Sequence, residues 1–442
     1  MAVMKRTIAI ILFFAAGLLA QKRPITHEDV WLMKRVSGLA VSPDGKWAVV
    51  SVAEPSYDDA KAVSDLWIVP ADGSHPARRL TATNGGESNT VFSPESARIA
   101  FSARREGDET SQIYVLPLAG GEAARVTSLS TGASTPQWRP DGKAILFQSL
   151  VYPKAATDEE NKKIAAERKA RKYNARVYED FPFRFWDRWL DDLRPHIFVQ
   201  ALEDGAQARD LLAGTKLAAS PGFDGRRGMG DAELGAVWSP DGASIVFSAT
   251  ADRNVAAYAP TTTHLYRLPA SGGEPAPITQ GADSYSSPRF RPDGKALYAL
   301  HTRRSDQRLY SLSRLARIEW PAPAGQPRLI TGGWDRSVSA VAFSPDSLRL
   351  YLTAEEHGHD KLFAVPADGG PVEPVLEVKE GCYSALAIPE RAPALVLVAT
   401  WGSMVHPDDV VLVDPKTRTQ RFLTAFNKER IEQIDWQPPL HS

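Results

Sequence analysis

The chain has 442 residues, of which 43% are hydrophobic and 24% charged, an ordinary globular composition with ample material for a buried core. Lys and Arg number 52 against 53 Asp and Glu, so the net charge is −1 and nothing argues for a nucleic-acid partner or a basic lipid-binding tract. The single Cys382 excludes an internal disulfide.

Lys5 and Arg6 precede an apolar run from Thr7 to Ala20, which is followed by Gln21-Lys22-Arg23. A positive start and a run too short for a comfortable span predict a signal peptide over residues 1–20 and an exported protein, periplasmic or secreted. Leu18 stands where a small residue belongs if Ala20 is the last residue removed. An uncleaved N-terminal anchor is therefore the alternative, and it is the one membrane attachment the sequence offers.

One short pattern then recurs: an apolar residue, Ser or Arg, Pro, Asp, Gly, and an apolar strand. It begins at Val41, Val91, Gln137, Val237, Arg289 and Ala342, with a worn copy at Ala387. The marker prolines are 43, 94, 140, 240, 292, 345 and 389, so the spacings are 51, 46, 100, 52, 53 and 44. Pro fixes φ at the first turn position, Asp caps the turn, and Gly accepts positive φ, so each copy reads as a β-hairpin. A second hairpin follows each first one, starting near Asp65, Gln112, His196, His264, Arg308, Lys361 and Asp409. Most of these end on Leu, Ile or Val followed by Thr.

Two hairpins make a four-stranded antiparallel sheet, which alone cannot bury both apolar faces. Seven such sheets stacked around an axis can. The prediction is an all-β fold, a seven-bladed β-propeller over residues 21–430, with residues 431–442 as a linker-like tail. The spacing of 100 is one blade carrying insertions. The first insertion, 152–195, holds a charged segment free of Pro and Gly, 158–178, that suits an exposed helix. It continues into the aromatic stretch DFPFRFWDRWLDDLRPH. A second stretch, 213–231, is Gly-rich and reads as a long loop.

The opening THEDVWLMKRVSGLAVSPDGKWAVVSV, the seven Pro-Asp-Gly-type blades and the insertion ending FRFWDRWLDDLRPHIFV together resemble the S9 prolyl-oligopeptidase family, in its acylaminoacyl-peptidase and dipeptidyl-peptidase-like branch. The repeat by itself is shared with TolB-like propellers. The resemblance implies a propeller that precedes an α/β-hydrolase domain, covers its active site and admits short or unfolded peptides. A hydrolase would need a Ser on a G-x-S-x-G elbow. No Ser here has that context, and only 20 residues follow Phe422, against roughly 200 for such a domain. No Ser-Asp-His residue can be carried over, so the expected catalytic set is none and activity of the chain alone is not expected.

The candidate binding surface is the insertion. Phe183, Phe185, Trp186 and Trp189 could stack on a peptide, while Arg184, Asp187, Arg188 and Asp191 could hold its termini by charge-assisted bonds. The bland alternative is that these aromatics pack the insertion onto its blade. His357, His359 and Asp360 suggest a metal cluster but lack a third and fourth ligand type nearby, so a solvated turn is expected. Asp252, Arg253 and Asn254 read as a plain turn. No phosphate loop, dinucleotide fingerprint or zinc spacing occurs, and neither a metal nor a cofactor is expected. The expected partners are peptides or a separately encoded hydrolase domain. The alternative function is a stand-alone TolB-like periplasmic propeller that binds proteins or peptides.

Overall fold

The computed structural model describes residues 22–437 apart from 59–60, 84, 174, 179–180, 228–230, 305–309 and 323–324. The predicted signal peptide lies outside the described residues.

Seven four-stranded antiparallel sheets are present, each with its strands in sequence order. Blade 1 is typical: Arg35–Val41, Trp47–Glu54, Val63–Pro70 and Arg78–Arg79. In blade 3 the insertion separates the second strand, Ala144–Val151, from the third, Arg194–Ala201. At five of the seven junctions the first strands of neighbouring blades abut, along the inner side of the ring. Seven-fold closure around an axis, expected from the repeats, is what the chain adopts.

The repeat residues act as the hairpin chemistry requires. Asp44, Asp141, Asp241, Asp293 and Asp346 each accept the N–H two residues ahead at 3.0–3.1 Å. Ser42, Ser93, Ser239 and Ser344 each accept the first N–H of the returning strand at 2.9–3.0 Å. Gly45 has φ 76°, and Ser96 and Ser347 occupy the same left-handed slot at 62° in blades 2 and 6. The recurrent terminal Thr also has a defined task. Thr81, Thr127, Thr279, Thr331 and Thr424 each accept an N–H of the third strand at 2.9 Å, pinning the short outer strand.

Stability comes from the seams. Seven apolar clusters occur, one at each junction between blades. Phe101 packs with Val49 and Ile68 between blades 1 and 2, and Val398 and Val410 pack with Val50 and Val69 between blades 7 and 1. Each such side chain contributes about 1.5–3 kcal/mol on burial. Among the described residues no blade borrows a strand from the far end of the chain, and the ring closes there by packing.

Among the described residues three short α-helices lie outside the blades: α1 (His27–Leu32), α2 (Asp158–Lys169) and α3 (Lys428–Gln433). Thr157 and Glu160 form a capping box that starts α2. The helix stops well short of residue 178. Arg168, Lys169, Arg171 and Lys172 suit the negative end of a helix dipole but would repel one another if the helix ran on. The segment read as a tail from 431 begins inside α3, and the buried Ile434 then pairs in parallel with Arg23.

Candidate functional site

Strand order dictates two faces. The Pro-Asp-Gly turns and the turns between third and fourth strands emerge on one face. The loops between second and third strands, α1 and α3 emerge on the other. The loops on this second face are uneven. Blade 3 carries 152–193 and blade 4 carries 250–263, whereas blades 6 and 7 have two-residue turns. Among the described residues, sixteen large hydrophobic side chains are exposed, and thirteen of them lie on this loop-bearing face. They include Trp31 and Tyr57, which stack 6.2 Å apart, and the aromatics of the insertion. Apolar surface gathered on one side of a propeller marks an interaction face.

The insertion is tied down at its base and open at its tip. Asp158 accepts the N–H and O–H of Ser130 at 2.9 and 2.8 Å. Asn161 accepts the N–H of Tyr152 at 2.8 Å. Arg168 binds Asp191 at 2.8 Å and Asp192 at 2.6 Å, and lies 4.4 Å over the ring of Tyr152. Burial works most strongly against the Asp192 carboxylate, but the hydrogen bond and charge of Arg168, with hydrogen bonds from Asp191 and the backbone, together outweigh it and hold its pKa at about 2. Burial and the adjacent Asp192 push Asp191 upward.

The tip is a two-stranded hairpin, Arg184–Phe185 against Arg188–Trp189. Trp186 heads its turn with φ 52° and is 79% exposed. Phe183 and Trp189 stack at 6.2 Å, and Tyr178 and Phe181 complete the cluster at 5.7 and 5.8 Å from Phe183. Arg184 lies 5.9 Å over Trp189, and Arg188 is 3.9 Å from Asp231. The structure thus brings Phe183, Arg184 and Trp189 into one patch, presents Trp186 and Asp187 at its edge, and half-buries Phe185. Asp191 is committed to Arg168. The aromatics stack on one another and leave Phe183, Trp186 and Trp189 open to solvent.

Residues 252–254, read as a plain turn, hold the insertion. Arg253 is buried, pairs with the buried Asp224 at 2.9 Å and donates to the Pro182 carbonyl at 3.1 Å. The Gly-rich loop is therefore anchored at Asp224, with Phe223 fully buried beside it. His357 and Gly358 form a two-residue hairpin turn with φ 53° and 76°, and His359 is held to the Gly381 carbonyl at 3.0 Å. Among the described residues no three His, Cys, Asp or Glu side chains are placed to hold a metal ion. Two carboxylate–imidazole pairs occur, Asp210–His196 at 2.7 Å and Asp283–His301 at 2.9 Å. Neither imidazole hydrogen-bonds to a Ser or Cys among the described residues. Among those residues, too, no helix is long and apolar enough to cross a membrane.

Comparison with known proteins agrees with this architecture. Residues 59–176 match the family described as the Tricorn protease N-terminal beta propeller domain. The dipeptidyl-peptidase 5 of Porphyromonas gingivalis is 25% identical over 418 residues, covering 93% of this chain and 57% of that protein. The acylaminoacyl peptidase of Pyrococcus horikoshii superposes with a TM-score of 0.65 at 14% identity, over 93% of this chain and 56% of that one. The β-propeller domain of the Trilobed protease from Pyrococcus furiosus, whose topology is described as open velcro, gives 0.59 at 12% identity, over 89% of this chain and 99% of that one. The chain is a seven-bladed propeller of the class found in S9 serine peptidases. Its sequence relatives include the dipeptidyl-peptidases 5, and the matches span 57% of the Porphyromonas gingivalis protein and 38% of that of Porphyromonas endodontalis.

Proposed function

We propose that this chain is the propeller portion of an S9-type serine peptidase of the dipeptidyl-peptidase 5 kind. Its loop-bearing face seats an α/β-hydrolase domain that supplies the Ser-Asp-His chemistry from outside these 442 residues. The hairpin bearing Phe183, Trp186 and Trp189 meets peptide substrates at the seam. The gathering of exposed apolar side chains on that single face carries the reading, because a propeller with no partner would gain nothing from it. The run Thr7 to Ala20 adds export, to the periplasm or the medium.

Two measurements test this. Hydrogen exchange of the purified chain with short unstructured peptides should show protection at 183–191 and the neighbouring loops. Protection confined to the opposite face would overturn the assignment. The chain alone should take no label from a serine-reactive fluorophosphonate, and labelling would refute the placement of the nucleophile elsewhere.

A further inference from the structure

The insertion concentrates charge that the chain as a whole does not carry. From Arg168 to Arg176 five of nine residues are Lys or Arg and none is acidic, in a protein of net charge −1. Glu167 precedes the stretch, and Glu179 and Asp180 follow it in sequence. Arg168 is engaged with Asp191 at 2.8 Å and Asp192 at 2.6 Å. Lys169, Arg171, Lys172 and Arg176 are exposed, and among the described residues their side chains make no ion pair or hydrogen bond. Helix capping does not account for them, because cations favour a helix C-terminus only within its last turn. Arg168 and Lys169 fill that turn of α2, while Arg171, Lys172 and Arg176 lie beyond its end. Packing does not account for them either: from Lys169 to Val177 every described residue is exposed, Tyr173 at 60% and Val177 at 79%.

Both ends of this basic arm rest on the aromatic hairpin. At its root Arg168 ties α2 to the base of the hairpin through Asp191 and Asp192. Lys169, Arg171 and Lys172 follow within four positions of that joint. At its far end Tyr178 packs 5.7 Å from Phe183 and stacks 6.2 Å from Trp189. Arg176 stands two positions before Tyr178. The unpaired cations are therefore strung between two contacts with the same hairpin, beside its exposed aromatic rings.

Resting on the peptide-handling reading above, we propose that the arm is an acid-selective subsite. It takes the Asp and Glu side chains of peptides whose apolar residues lie on the hairpin. Unpaired cations this close in sequence repel one another, and an acidic ligand relieves that repulsion. Cations grouped beside a binding surface also draw anionic ligands and raise their rate of association. An anionic lipid surface fits less well. A helix that binds lipid sinks an apolar face among the headgroups, and α2 has only Ile164 and two alanines to offer.

The full chain is mixed in stopped flow with three fluorescent peptides that share one apolar core and are flanked by Glu, Gln or Lys. At about 20 mM salt the Glu peptide should associate about tenfold faster than the Gln peptide, and the Lys peptide more slowly than either. At about 500 mM salt the difference should shrink to about twofold or less. R171Q/K172Q/R176Q should lose the order. K143Q/K295Q/K416Q removes as much charge from the turn-bearing face and should keep it; loss of the order there would mean that overall charge, not the arm, sets it, and overturns the subsite. Equal association of the three peptides with the wild type, or an order that survives in R171Q/K172Q/R176Q, also overturns the subsite and leaves the peptide-handling reading standing. Capture of the wild type by phosphatidylglycerol vesicles together with equal peptide association would hand the arm to a membrane surface instead. Binding of none of the three peptides overturns both readings. The wild type alone decides Glu against Gln, so a poorly folded variant does not blunt the test.

Discussion

Asp29 and Arg430 are 401 positions apart in sequence and 3.1 Å apart in space. Asp29 is 1% exposed and also receives both guanidinium nitrogens of Arg23 at 2.6 and 2.8 Å, together with the N–H and O–H of Thr26 at 2.9 Å. Beside it, Asn427 exchanges two hydrogen bonds of 2.9 Å with the backbone of Lys34. Since among the described residues no blade takes a strand from the other end of the chain, this clasp is the polar half of ring closure. The seam between blades 7 and 1 is the apolar half.

The clasp predicts acid sensitivity. The Arg23 hydrogen bond, helped by Thr26 and Arg430, holds the Asp29 carboxyl well below the usual carboxylate range despite burial. A depressed acid pKa contributes stability that is complete above the unfolded value, near 4, and is lost as pH falls through the folded value. D29N should lower unfolding free energy by about 2–3 kcal/mol at pH 7, less than for a wholly buried pair because both arginines reach water. R430A, which leaves Arg23 in place, should lose about 1 kcal/mol. Urea unfolding at pH 7 and at pH 3 checks this, and the gap between wild type and D29N should narrow at the lower pH without closing.

Asp409 predicts the opposite sign. It is buried in the third strand of blade 7, where Thr424 donates to one carboxylate oxygen at 2.6 Å and Phe426 N–H at 3.2 Å, while the second oxygen has no partner. Burial raises its pKa against these bonds. A raised acid pKa makes the fold less stable as pH climbs from the unfolded value through the folded one. The stability of D409N relative to wild type should therefore be greater at pH 8 than at pH 4. T424V should destabilise by about 1–3 kcal/mol, because it strands the Val410 N–H as well as the carboxylate. Thermal melts across that pH range measure both.

The blades were legible because each rests on local chemistry. A Pro-Asp-Gly turn, an alternating strand and a terminal Thr all act within a few residues, and their repetition reveals the ring. The interactions joining distant segments were not legible. Asp224 lies in a Gly-rich loop and Arg253 in what reads as a turn, and nothing local announces that each neutralises the other in the interior. Asp191 looked free to meet a ligand, but Arg168 from the preceding helix claims it.

Breaking the Arg253–Asp224 pair should release the insertion. R253M keeps an unbranched side chain but removes the guanidinium that pairs with the buried Asp224, with an expected loss of about 3–5 kcal/mol. The Pro182 contact goes with it, so trypsin should cut among Lys162, Lys163, Arg171 and Lys172 faster than in the wild type. D224N/R253M removes the buried carboxylate charge as well and should recover part of the stability while the insertion stays protease-sensitive. Limited proteolysis followed by mass spectrometry, paired with urea unfolding, separates the two effects.

Trp186 separates stability from recognition. Its φ of 52° lies in the left-handed region, which costs a bulky residue about 1 kcal/mol or more, while its ring is largely exposed and buries little in return. A side chain kept in that conformation for folding alone should be replaceable by Gly with gain. W186G is therefore expected to hold or raise the melting temperature. If the hairpin meets a peptide or a docked domain, the same substitution should weaken that association by about three- to tenfold, since an exposed aromatic is the kind of anchor such contacts use. W189A is the comparison: it removes the stack on Phe183, so stability and binding should fall together. A W186G chain that binds as the wild type does would take the hairpin tip out of the recognition surface and leave its strain without a purpose.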